Sequence, residues 1–235
     1  MRCSIQLCHF KGQTLAHISS LHSGNGNVAC RETGETTEVL ARSEMRQVVE
    51  LPMHSVTVGA VEAAYHQKYG IGTDLSEQQL IDCSFRVYGN HGCFRGLPSR
   101  AFDYIKAYGL ILERDYEYIS LQSVCRQLVK KPFVNITRYV NITSGDEDEL
   151  KQAVTSVSIS FHTSEIRYYR SGVFTSNHCG NTLKDLRHFA LAVGYGIENG
   201  VPYWLIKNSW GEDWGEKGYF KVEMGKNMCA YPVVA

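Results

Sequence analysis

The sequence predicts an α+β fold with two packed lobes. Helical signals concentrate in residues 57–110, and strand-like runs separated by glycine-rich turns follow an acidic helix start at residue 146. The chain is also large enough for a real core, with 235 residues of which 43% are hydrophobic.

A helix is expected to start at Pro52, because a proline in the first turn forfeits only an N–H that has no intrahelical partner. Val58, Val61, Ala64, Tyr65 and Tyr69 then share one face, and Gly70 can end the helix. Ser76-Glu77-Gln78-Gln79 has capping-box spacing and opens a short helix toward Cys83. Pro98-Ser99 starts a third helix, with Ala101, Ile105 and Tyr108 at i, i+4 and i+7 and Gly109 just past its end. Asp146-Glu147-Asp148-Glu149 places acidic side chains where a fourth helix dipole favours them. Strands are expected at Val157–Phe161, Ala190–Tyr195, Tyr203–Lys207 and Tyr219–Glu223. Residues 1–56 show no clear period of either kind, and Gly24-Asn25-Gly26-Asn27 breaks local structure. Poor order is expected there.

Charge and cysteine usage narrow the function. The 24 basic and 24 acidic residues cancel, and no basic stripe suits a nucleic acid or an anionic membrane surface. No apolar run reaches the ~18–20 residues that span a bilayer. Eight cysteines, with the glycosylation sequons Asn135-Ile136-Thr137 and Asn141-Ile142-Thr143, favour a secretory route. Residues 1–20 include Arg2, His9, Lys11 and His17 and hold no continuous apolar stretch, so no signal peptide is read in this chain and an incomplete chain is expected. No C-x₂-C or H-x₃-H pair is present, so no metal is assigned, and no cofactor is implied.

Catalysis by a thiol needs a thiolate, a base that keeps it ionised and a group that orients the base. Two segments have the look of the second and third parts: Arg187-His188-Phe189-Ala190-Leu191-Ala192-Val193-Gly194-Tyr195-Gly196, and Lys207-Asn208-Ser209-Trp210-Gly211 about twenty residues later. Further blocks agree, among them Leu75 to Cys83, His91-Gly92-Cys93 and Gly96 to Phe102. Together they resemble the papain-like cysteine peptidases. Val134-Asn135-Ile136-Thr137 and Lys226-Asn227-Met228-Cys229 are similar to the cathepsin H and plant aleurain branch.

The resemblance covers residues 57–235 and implies a helical lobe over 57–130 and a β-rich lobe over 131–235, the latter like an antiparallel barrel. It implies that His188 is the general base and that Asn208 orients it, with Trp210 shielding their hydrogen bond. Gly96 is expected to pair with a substrate strand, Arg95 to add bulk beside it, and Phe189 to crowd the neighbouring pocket. The implied disulfides are Cys83–Cys125 and Cys179–Cys229, each worth roughly 2–4 kcal/mol. The implied partners are peptide or protein substrates, the implied state a monomer, and the implied location a vacuole, a lysosome or outside the cell.

The pattern breaks where the nucleophile belongs. Aligning Thr57 to Ala63 with the family's helix puts the nucleophile at Pro52, its neighbouring tryptophan at Met53, the oxyanion glutamine at Arg46 and a structural cysteine at Val49. Pro52 and His188 lie 136 residues apart, the expected separation, so a segment has been replaced rather than displaced. Cys93 is then expected to lack its partner, and the family's first strand is missing. Three accounts stay open: a peptidase whose sequence as given has lost its catalytic segment, a non-catalytic relative that binds peptides or proteins, and a product that folds badly.

Overall fold

The computed structural model describes residues 6–10, 52–85, 87–126, 131–143, 145–154, 157–179, 188–226 and 228. Its helices are α1 (Pro52–Tyr69), α2 (Glu77–Cys83), α3 (Pro98–Tyr108) and α4 (Glu147–Ala153). Its strands are β1 (Gln6–Phe10), β2 (Ile136–Asn141), β3 (Val157–Phe161), β4 (Val173–Phe174), β5 (His188–Glu198), β6 (Val201–Lys207) and β7 (Tyr219–Glu223). Five strands form one mixed sheet in the order β3-β5-β6-β7-β4, parallel only between β4 and β7, while β1 and β2 pair antiparallel as a separate ribbon. The α+β expectation holds, and β3 and β7 have the bounds read from sequence.

The helix punctuation acts as the side chains require. α1 starts at Pro52 and stops before Gly70, whose φ of +69° is one that side-chain-bearing residues rarely adopt. Ser76 caps α2 by accepting the Gln79 N–H at 3.0 Å. The return half of the capping box is absent, because the Gln79 amide turns inward. It donates to the Tyr104 hydroxyl and the Gly109 carbonyl and accepts the Ile111 N–H at 2.9 Å. One buried glutamine thus ties α2 to the end of α3. Asp146 caps α4 through the Glu149 N–H at 2.8 Å.

Two apolar cores result. The first packs Val58, Val61, Leu80, Phe102 and Ile105 from the helices, and draws in Val134, Ile136, Leu191, Val193 and Tyr219 from beyond residue 130. The second lies on the sheet around Ile159, Phe161, Trp204, Ile206 and Phe220. α1 is the joint between them. The Ser158 hydroxyl on β3 donates to the Val56 carbonyl at 3.3 Å, and a Cβ at Gly59 would meet the Leu191 methyl on β5 at 2.7 Å. The stripes read from sequence loosen at their ends, where Tyr69 and Tyr108 are exposed and stack on Tyr65 and Tyr104 instead.

Two features differ from the sequence reading. Gln6–Phe10 forms a strand, where the sequence carries no strand period; it pairs with β2 from Gln6↔Asn141 to Phe10↔Ile136. The Cys83–Cys125 disulfide is formed, whereas the Cys179–Cys229 expectation lies partly outside the described residues at Cys229.

Gly109 closes α3 at φ +74°, and a Cβ there would sit 2.5 Å from both the Pro132 side chain and the Val134 carbonyl. Backbone strain and overpacking then act together, so Gly109→Ala should cost about 1–3 kcal/mol. Urea unfolding is the measurement, with a lowered midpoint at unchanged slope as the expected outcome.

Candidate active site

β5 opens at His188 and β6 ends one residue before Asn208, so the sheet brings the two side chains together. The His188 Nε2 and the Asn208 Oδ1 are 2.8 Å apart. The Ser209 N–H also donates to Asn208 Oδ1, at 2.9 Å. A backbone N–H can only donate, which fixes the amide with its oxygen toward the ring. Nε2 therefore carries the hydrogen, and Nδ1 holds the lone pair that can take a proton. Asn208 is itself held, being 3% exposed and donating its backbone N–H to the Gly218 carbonyl at 2.9 Å.

Aromatic rings frame the half-buried imidazole. Trp210 lies tilted 5.0 Å from the ring centre, and Phe161 meets it edge-on, also at 5.0 Å. Phe161 is directly opposite His188 in the β3–β5 register, and Trp214 backs Trp210 edge-on at 4.8 Å. The shielding expected of Trp210 is thus shared with Phe161, which sequence reading missed because an aromatic in a fully buried strand looks like plain core. Keeping water from the His188–Asn208 bond strengthens it.

Pro52 begins α1, and Arg46, Val49 and Cys30 lie outside the described residues. Met53 is buried beneath Gly96, and a Cβ on Gly96 would collide with the Met53 methyl and the Asn90 amide. Arg95 is exposed, and Phe189 is partly buried against the first core. Among the described residues Cys93 carries a free thiol, and burial pushes its pKa up, away from the reactive thiolate. No group of three or more potential metal ligands occurs among the described residues.

Two buried ionisable groups escaped the sequence reading. His54, in the first turn of α1, is 1% exposed with both ring nitrogens unbonded among the described residues, and burial lowers its pKa to about 3. It is a neutral ring at physiological pH. Glu62 sits within the apolar stripe of α1 and accepts the Leu75 N–H at 2.8 Å. Burial raises it to about 8, against the opposing pull of that N–H and of Lys207, the residue preceding Asn208. Burial in turn lowers Lys207, while Glu62, Glu77 and Glu212 raise it. A carboxylic acid in the middle of a Val58-Val61-Tyr65 face was the signal available in the sequence.

The two lobes joined by a long helix and the imidazole–amide pair define a cysteine-peptidase type of scaffold. Comparison with known proteins agrees: a profile of the papain family of cysteine proteases matches residues 53–233, and the chain belongs to that family. Thiol protease aleurain of Arabidopsis thaliana is 55% identical over 190 residues, which are 76% of this chain and 53% of that protein. Pro-cathepsin H of Mus musculus is 45% identical over 184 residues, 76% of this chain and 55% of that protein. Among solved structures, digestive procathepsin L 3 of Tenebrio molitor larval midgut superposes with a TM-score of 0.70 at 36% identity, over 80% of this chain and 67% of that one. The chain spans about half the length of the curated relatives it matches.

Glu62 generates a pH prediction. Its folded pKa of about 8 lies above the ordinary carboxylate value of 4.5, so the native state favours the neutral acid. The unfolded chain gives up this proton first, and stability from this site falls as pH rises from about 4 to 8. Glu62→Gln keeps the acceptor for Leu75 and cannot ionise, so the wild type should lose stability relative to it across that window. Glu62→Leu removes the acceptor and should cost about 1–3 kcal/mol. Thermal melts of the three proteins at pH 5 and pH 8 measure both effects.

Proposed function

We propose that this chain is a papain-family protein that binds peptides in its cleft and, as given, does not hydrolyse them. The observation that carries this reading is the pairing of an oriented base with a helix start that has no thiol. By the motif resemblance His188 is the base and Asn208 its orienting group, and the nucleophile position falls on Pro52. A cysteine at the start of a long helix, facing an imidazole, has its thiolate favoured by both. Proline offers neither a sulfur nor a backbone N–H. The family match begins at Met53, one residue past this position. With the oxyanion glutamine replaced by Arg46, a further loss of 10²–10³ in rate is expected even where a nucleophile is supplied.

The alternative of a product that folds badly is less well supported. The helical lobe keeps a buried core, a formed Cys83–Cys125 disulfide and its joint to the sheet. Binding without cleavage would use the cleft that the family resemblance implies, with Gly96 as its strand-pairing residue and Phe189, Trp210 and His188 as further wall residues. Peptides or unfolded protein segments are the natural partners of such a cleft, and the chain acts as a monomer with no cofactor.

The secretory reading also gains a structural sense. Asn141 and Thr143 are both exposed, as a glycan acceptor and its sequon threonine must be. Passage through the secretory pathway to a vacuole, a lysosome or the exterior should therefore give a glycan at Asn141. Mass spectrometry after expression behind a foreign leader tests this, and an unoccupied Asn141 would contradict it.

The catalytic half of the proposal is tested by Pro52→Cys assayed on a fluorogenic peptide. The variant should stay at least about 10²-fold below an intact family member in kcat/KM, because the oxyanion donor is still missing. Robust turnover would overturn the account of the break.

A further inference from the structure

We propose that the cleft edge at Gly96 selects extended peptides with an acidic side chain, which Arg95 recognises. This rests on the peptide-binding reading above and goes beyond it in naming the chemistry of the ligand. Gly96 is partly exposed, and neither its N–H nor its carbonyl is hydrogen-bonded among the described residues. Such an edge can accept one more strand.

The edge is held rigidly. Buried Asn90 accepts the Leu97 N–H at 3.0 Å and donates to the Ser84 hydroxyl at 3.1 Å. The His91 N–H donates to the Arg95 carbonyl at 2.8 Å, and the Phe94 N–H to the His91 carbonyl at 3.0 Å. Met53 and Asn90 fill the space behind Gly96, so a ligand can approach only from the open side.

Charge makes that side selective. From Cys83 to Phe102 the sequence carries Arg86, Arg95 and Arg100 and no aspartate or glutamate, although the whole chain is neutral. Arg100 is occupied by the Gly89 carbonyl at 2.7 Å. Arg95 is exposed and pairs with no carboxylate among the described residues. Phe94 beside it is 88% exposed and offers apolar contact to the same ligand. In a strand paired at Gly96, the residue opposite Arg95 is the next one along, and opposite charges at such cross-strand positions attract. A carboxylate there meets an unpaired guanidinium fork, which binds it in bidentate geometry. The positive stretch also repels a lysine at the same place.

The test uses the full chain and three labelled peptides of one extended, Val/Thr-rich sequence, differing only in a central Glu, Gln or Lys, with fluorescence anisotropy as the readout. The Glu peptide should bind about 3–10-fold more tightly than the Gln peptide, and the Lys peptide more weakly than either. High salt should shrink the differences. Arg95→Glu, an exposed substitution that leaves the core untouched, should reverse the ranking. Equal affinity for the three peptides, or an unchanged ranking in Arg95→Glu, would overturn the inference while leaving peptide binding standing. No binding of any of the three would overturn the peptide-binding reading, and this inference with it.

Discussion

The close approach of α1 to β5 is the constraint on which the rest of the molecule depends. Gly59 has no side chain, which lets the helix lie against Leu191 three residues beyond His188. The Ser158 hydroxyl holds the Val56 carbonyl, and Glu62 further along the same helix anchors Leu75. One helix therefore contributes to the helical core, abuts the sheet, and sets where position 52 stands relative to the imidazole. The contact is tightly packed, so it leaves no room for a larger side chain at position 59. Whatever side chain occupies the start of α1 is placed by this joint rather than by its own interactions.

Much of this was legible in the sequence, and the exceptions have physical causes. Glycine and proline carry local instructions, so Pro52, Gly70 and Gly109 mark the helix ends where the structure has them. β3 reads as a strand because Val157, Ile159 and Phe161 alternate with serines, although the fold buries it on both faces. Long-range effects were not legible. Gln79 has capping-box spacing with Ser76, yet its amide serves Tyr104, Gly109 and Ile111, because burial makes satisfying those groups worth more than an exposed return cap. Tyr69 and Tyr108 fit the helical period but lie past the edge of the core, where periodicity no longer implies burial. β1 has no pattern of its own, and its pairing with β2 is a tertiary choice that local sequence does not record.

The site divides along the same line. His188 and Asn208 were read from two short motifs, and the structure adds which nitrogen carries the hydrogen through the Ser209 N–H. Phe161 was invisible because its role comes only from strand register opposite His188. Glu62 and His54 were passed over because a polar residue in an apolar stripe has no local signature of its protonation. Burial sets that protonation, and burial is a property of the fold.

On the proposed reading, a base and its orienting amide are paired at 2.8 Å, while the group that would give up a proton is missing from the start of the helix. A thiol-directed electrophile of the peptidyl epoxide type examines this most directly. The purified chain is incubated with the probe, and each cysteine is then mapped by mass spectrometry. The account predicts no stoichiometric adduct on any cysteine that depends on His188. Rapid labelling of one cysteine, abolished by His188→Ala, would contradict it.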